Sequence, residues 1–325
     1  MALFFRKRKP VTDEHELWKD HSNVSRETSA QPRRAMGRES SVEDEYGDEF
    51  IEFEEPKPTL PRPAKPRVFV VANQKGGVGK TTTTVNVATA LALGGLNVLV
   101  IDIDPQGNAS TALGVEHAPG TKGTYEVLTE QVGIIEHAQN SPHSPNLHVL
   151  PAAIDLAMAE LELVNERGRE MRMRDAIQTY IDESGVDYIF FDCPPSLGLL
   201  TLNALVAATE ILVPIQTEYY ALEGVSHLMR TINKVKGNLN DDLFLSTILL
   251  TMFDPRTNLS RDVADEVRRH FPNETLSVEI PRSVKIAEAP GFGQTIMTYQ
   301  PKNVGAVAYQ QAAEEIANRA ERAND

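Results

Sequence analysis

The sequence is poor in several things, and each shortage narrows what the chain can be. It has one cysteine, Cys193, in 325 residues. That excludes an intrachain disulfide framework and any multi-cysteine metal or iron–sulfur site built by one protomer, and it fits a reducing, intracellular setting. No run of 18 apolar residues occurs, so no integral membrane segment is expected. The opening "MALFFRKRKP" places its few apolar residues ahead of its charges, the wrong order and length for a secretory signal. Basic residues are in deficit, 32 Lys and Arg against 46 Asp and Glu, for a formal net charge of −14. Such acidity favours solubility and opposes polyanions unless basic groups are clustered locally. His137, His143 and His148 fall close together, but proximity in sequence sets no metal geometry, and surface or core positions are expected for them.

The chain has one break in composition. Residues 1 to 66 contain the basic "RKRKP", the acidic "EDEYGDEFIEFEEPKP" and the proline-rich "KPTLPRPAKP", with sparse apolar residues and no sustained period. This stretch reads as a disordered tail ending in a stiff, extended linker. Phe4, Phe5 and Trp18 are its candidate anchors if it docks on a partner. From Arg67 onward the pattern is α/β. "RVFVVAN", "NVLVIDID", "LHVLPA", "DYIFFDCPP", "EILVPIQ", "LSTILLTMF" and "LSVEIP" are apolar runs of strand length, and helical stretches lie between them. Strands alternating with helices predict a doubly wound, mostly parallel sheet with helices on both faces, in one domain over residues 67 to 325.

"VVANQKGGVGKTTTTVNVA", residues 70 to 88, is where chemistry first shows. Its end fits the phosphate-loop pattern G-x-x-x-x-G-K-[ST], with Gly79, Lys80 and Thr81 in place. Gln74 stands where the first glycine belongs, and an additional lysine, Lys75, precedes the glycine pair. Gly76, Gly77 and Gly79 let the backbone approach phosphate oxygens with no Cβ in the way. The amides of Gly77, Val78, Gly79, Lys80, Thr81 and Thr82 are expected to face α- and β-phosphates at the positive end of the following helix. Lys80 is expected to reach the β- and γ-phosphates and the Thr81 hydroxyl to bind Mg²⁺.

Carboxylates complete the pattern. "DIDPQGN" ends one strand with Asp102 and Asp104, and "FFDCPPS" ends a later one with Asp192. Ligands of doubly wound folds bind at that carboxyl edge. Asp104 is the candidate for orienting an attacking water, while Asp102 and Asp192 are candidates for the metal shell, partly through water.

With these residues the loop "KGGVGKTT" resembles the deviant Walker A loop of the ParA/MinD group of ATPases. "DIDPQGNAS", "DYIFFDCPPSLGLLTLNAL", "EYYALEG", "LLTMFDPRTNLS" and "IPRSVKIAEAPGFGQTI" are similar, in order, to the ParA/Soj branch that partitions chromosomes and plasmids. The resemblance covers residues 67 to about 320. It implies a P-loop NTPase fold and hydrolysis of ATP with Mg²⁺. It also implies an ATP-dependent homodimer in which Lys75 reaches the α- and γ-phosphates of the partner's nucleotide. An ammonium there suits a triphosphate shut away from water. Pro281 and Ser283 are implied to line the adenine; the family often has asparagine where Ser283 stands. Further implications are non-specific binding of double-stranded DNA through Arg256, Lys285 and, more weakly, Lys302, and stimulation by a ParB-type centromere-binding protein. The implied location is cytoplasmic and nucleoid-associated.

Rival readings fare less well. A MinD-type membrane-associated ATPase, which positions the division site, needs a C-terminal amphipathic helix with bulky apolar and basic residues. The end here, "YQQAAEEIANRAERAND", is alanine-rich and balanced or acidic. An iron–sulfur reductase on the same loop needs paired cysteines, which the chain lacks.

Overall fold

The computed structural model describes residues 60–219 and 221–322, all within the second of two compact units, Glu54–Asp325. Most of the expected tail, with Phe4, Phe5 and Trp18, lies outside the described residues. Residues 60–66, assigned to the linker by composition, rest against the domain. The Leu60 amide donates to the Gly94 carbonyl at 3.3 Å, and Arg62 forms a 3.0 Å ion pair with the buried Asp187.

Strands β1 (Arg67–Val71), β2 (Val98–Asp102), β3 (Gln139–Asn140), β4 (Leu147–Leu150), β5 (Tyr188–Asp192), β6 (Glu210–Gln216), β7 (Phe244–Phe253) and β8 (Thr275–Pro281) form one sheet in the order β3-β4-β2-β5-β1-β6-β7-β8. Every pairing is parallel except β3 with β4. The doubly wound, mostly parallel expectation is therefore met. Helices α1 (Lys80–Leu93), α2 (Asn108–Ala112), α3 (Thr124–Thr129), α4 (Leu156–Glu162), α5 (Arg172–Ser184), α6 (Leu199–Ala207), α7 (Ala221–Lys236), α8 (Asn258–His270), α9 (Val284–Glu288), α10 (Ile296–Tyr299) and α11 (Val304–Arg322) follow in chain order. Sequence pattern found the long elements. It missed β3 and the helices of four to seven residues, α2, α3, α4, α9 and α10, because such pieces are too short to display a period.

β1 shows why the sheet is buried on both faces. Val68 and Val70 join one apolar core, while Phe69 and Val71 join the other. Alternate residues of a strand point to opposite faces, so a run with no polar break requires cover on each. α11 supplies part of one cover. Its Ala306, Tyr309, Ala313, Ile316 and Ala317 are buried, and it packs on α1 and β8. No helix among the described residues is long and apolar enough to cross a membrane.

Register places the chemistry. Asp102 and Asp192 are paired residues at the ends of neighbouring parallel strands, and Val71, shortly before the glycine-rich loop, pairs with the same Asp192. Loop and carboxylates therefore converge at the carboxyl edge beside β1, where a doubly wound sheet opens a crevice.

Candidate functional site

The loop between β1 and α1 leaves the helix end that it opens uncapped. α1 starts at Gly79, whose φ of 91° is left-handed, and no side chain caps that end. Its first turn carries no acidic residue. Gly77 is left-handed as well, with φ 75°. A Cβ placed on Gly76 or Gly77 would meet nothing within 4 Å, so the loop has an open side. Uncapped amides and a positive helix end facing an open concavity suit an anion.

The loop is braced from distant parts of the chain. The Thr251 hydroxyl, on β7, donates to the Val78 carbonyl at 2.8 Å. Asn73 donates to the Pro214 carbonyl on β6 at 2.9 Å and accepts the Lys75 amide at 3.0 Å. The Asn86 side chain donates to Thr82 at 2.8 Å and accepts the Ile296 amide at 2.9 Å. These braces were not foreseen. Thr251 lies inside the quoted "LLTMFDPRTNLS", but nothing local tells that its hydroxyl serves a loop so far along the chain.

The two lysines are treated differently. Lys80 is buried, 8 % exposed. Burial lowers its pKa, and the facing Asp192, Cys193 and Asp104 push it back up. Lys75 is half exposed, and its amine donates to Glu218 at 2.6 Å. Glu218 follows β6, so Lys75 is held on that side of the loop.

Thr81 donates to Asp192 at 2.7 Å and Thr84 to its other oxygen at 3.2 Å. Asp192 is fully buried; desolvation raises its pKa, opposed by those two hydroxyls. Asp102 is also fully buried and raised, first by desolvation and then by Asp192. Both Asp102 oxygens are engaged: one accepts the Asp104 amide at 3.2 Å, the other the Ser110 amide at 2.8 Å and hydroxyl at 2.7 Å. Asp102 thus fixes the turn into α2, a task sequence reading did not anticipate. Asp104, 9 % exposed, takes the Gln106 amide at 3.0 Å on one oxygen.

The donor set suits a magnesium–nucleoside triphosphate. A hydroxyl beside a buried carboxylate, an open glycine cradle and a desolvated lysine form a hard-oxygen and anion site. Among the described residues no cluster of three or more His, Cys, Asp and Glu could hold a metal ion. Cys193 is a buried thiol whose pKa burial raises well above its ordinary value. His143 bonds Ala112 and Thr298, at 3.0 and 3.3 Å.

The remaining candidates lie between the end of β7 and the start of α11. Pro281 ends β8 and pairs with Phe253, while the following Arg282 amide donates to Phe253 at 3.1 Å. Ser283 precedes α9 and makes no capping bond. After Thr251, Met252 has φ 52°, uncommon for a non-glycine residue, and the chain turns out to Asp254 and Arg256. Arg256 is 86 % exposed and grips Asp254 with two 2.8 Å bonds. Lys285 pairs with Glu288 at 2.7 Å. Lys302 is exposed, before α11. The structure thus leaves two of the three expected DNA residues with acidic partners of their own.

A family model described as an AAA domain matches residues 66–245. The chain is 45 % identical over 251 residues to the sporulation initiation inhibitor protein Soj of Bacillus subtilis, which covers 77 % of this chain and 98 % of Soj. It is likewise 45 % identical over 253 residues to the chromosome partitioning protein ParA of Caulobacter vibrioides, covering 78 % and 94 %. Among solved structures it is similar to cobyrinic acid a,c-diamide synthase from Mycobacterium smegmatis with a bound ATP analog and magnesium. Identity there is 36 % and the TM-score 0.68, over 80 % of this chain and 97 % of that one.

Proposed function

The chain belongs to the ParA/Soj family of chromosome-partitioning ATPases, and on that premise we propose that it is an ATP-gated dimeric switch acting on DNA. The observation that carries this reading is the division of labour between the lysines: Lys80 buried inside the loop, Lys75 outside it on the β6 side.

In this reading the uncapped amides of residues 77–82 hold the α- and β-phosphates of ATP. Lys80 binds the β- and γ-phosphates. Thr81 and Asp192 would hold magnesium, with Asp102 fixing the turn behind them. Magnesium, when bound, neutralises charge on the β- and γ-oxygens. Asp104, at the end of β2, orients the attacking water. Pro281 and Ser283 border the base.

Lys75 leaves its own loop and meets the partner subunit's triphosphate. A buried, net-negative group shared by two subunits needs an opposing cation once water is excluded. ATP then closes the dimer, and hydrolysis to ADP and phosphate opens it. Arg256, Lys285 and Lys302 provide a few phosphate contacts per subunit. Closing the dimer doubles them, which about doubles the salt dependence of DNA binding and strongly raises affinity. No base reading is expected, and the protein works on the nucleoid. A ParB-type partner that supplies a basic side chain fits the same phosphoryl-transfer logic.

The membrane-switch alternative is disfavoured by α11, whose apolar face is already spent on α1 and β8. Lys75→Ala tests the proposal. It is expected to bind ATP like the parent chain yet form no ATP-dependent dimer in analytical sedimentation. A normal dimer rejects the shared-site reading.

A further inference from the structure

We infer that Glu218 is a positioning residue for Lys75: it holds the amine within its own subunit until a partner's triphosphate draws it away, and so sets how readily two subunits close. This rests on the reading in which Lys75 acts across the interface.

The acceptor is a fixed post. The Glu218 amide donates to the Gln216 carbonyl at 2.8 Å, and the Gln216 side-chain amide holds one Glu218 carboxylate oxygen. The preceding Thr217 is buried and its hydroxyl bonds Ser260 at 3.1 Å. The other carboxylate oxygen takes the Lys75 amine at 2.6 Å. At its root Lys75 is set by Asn73, itself anchored on β6 at Pro214. Root and head of this lysine are therefore both referred to the end of β6, so a pair whose side chains are 44 % and 48 % exposed has a defined geometry. Preset geometry removes much of the entropy loss that makes exposed ion pairs weak.

The consequence is competition. One ammonium cannot fully satisfy a carboxylate of its own subunit and a triphosphate of the other, and the two anions repel if both crowd it. Glu218 favours the open subunit by the strength of the pair, and a symmetric dimer breaks two such pairs. Each exposed pair is expected to shift the equilibrium about twofold to threefold, so removing both should tighten the dimer about fivefold.

The test uses the full chain with AMP-PNP and magnesium, reading the dimer dissociation constant by analytical sedimentation and single-subunit affinity with a fluorescent ATP analogue. Glu218→Gln is expected to lower the dimer constant about fivefold and leave single-subunit nucleotide affinity unchanged. Glu218→Asp, which keeps the charge, should stay nearer the parent. The difference between Gln and parent should shrink at 0.5 M salt, about 4 Å of Debye length, as an effect on folding alone would not. If Glu218→Gln dimerises no better than the parent while Lys75→Ala fails to dimerise, the latch is overturned and the shared site stands. If Lys75→Ala dimerises like the parent, the shared site falls and the latch with it.

Discussion

The phosphate loop and the basic rim of Arg256, Lys285 and Lys302, between β7 and α11 in the chain, carry positive charge in different ways. At the loop the helix end is left open: α1 has no side-chain cap and no first-turn acid, while Lys80 is buried facing Asp192 and Asp104 and Lys75 is paired with Glu218. At the rim two of the three cations already hold an acid, Arg256 on Asp254 and Lys285 on Glu288. A polyphosphate entering the loop meets an uncapped helix end and a buried lysine. A polyanion reaching the rim must displace a carboxylate and shed counterions. The loop is therefore suited to tight binding of a polyphosphate and the rim to weak, salt-sensitive contact.

The contrast can be broken at its strong end first. Lys80→Ala is expected to cut nucleotide affinity by about a hundredfold or more, read by fluorescence titration, since a charge-assisted contact in a desolvated site is lost. Asp104→Ala should preserve nucleotide binding and lower the hydrolysis rate by about a hundredfold, the usual scale for a residue positioning the reacting water. An unchanged rate would leave Asp104 only its structural bond to Gln106. At the weak end, Arg256→Glu should lower ATP-dependent DNA affinity about tenfold near 0.1 M salt and flatten the salt slope by about two, one contact per subunit. Nucleotide-dependent dimerisation should be untouched.

The smallest effect is expected from Asp254→Asn, which frees Arg256 and should strengthen DNA binding about twofold. Its direction sharpens the comparison, because a rim restrained by its own acids must gain when one is neutralised. Titration cannot substitute for that mutation in ordinary buffers. Hydrogen bonds from Arg256 lower the Asp254 pKa to about 2. A depressed carboxyl contributes fully above its unfolded pKa and loses the contribution as pH falls from there through the folded value near 2, so no step from this pair is expected between about pH 5 and 9.

Much of the site was legible because its parts are local. A glycine-rich turn between a buried strand and a helix defines a phosphate cradle through neighbouring residues alone, and strand-end aspartates mark the carboxyl edge by position. The alternation of apolar runs with helical stretches likewise fixed the fold class, since fully apolar strands require cover on both faces. The linker boundary was less legible: Leu60 and Arg62 sit in proline-rich composition yet have partners at Gly94 and Asp187.

By itself, then, the sequence determined a parallel α/β domain with an anion loop, two lysines in it and acids nearby. Only the tertiary structure decided which of those groups meet. Register set Asp102 beside Asp192, packing gave Lys75 to Glu218 and the Val78 carbonyl to Thr251, and α11 spent its apolar face inside the domain. Turn and strand preferences act over a few residues, whereas partners more than a hundred residues apart are chosen by how whole elements pack, and no short stretch of chain encodes that choice.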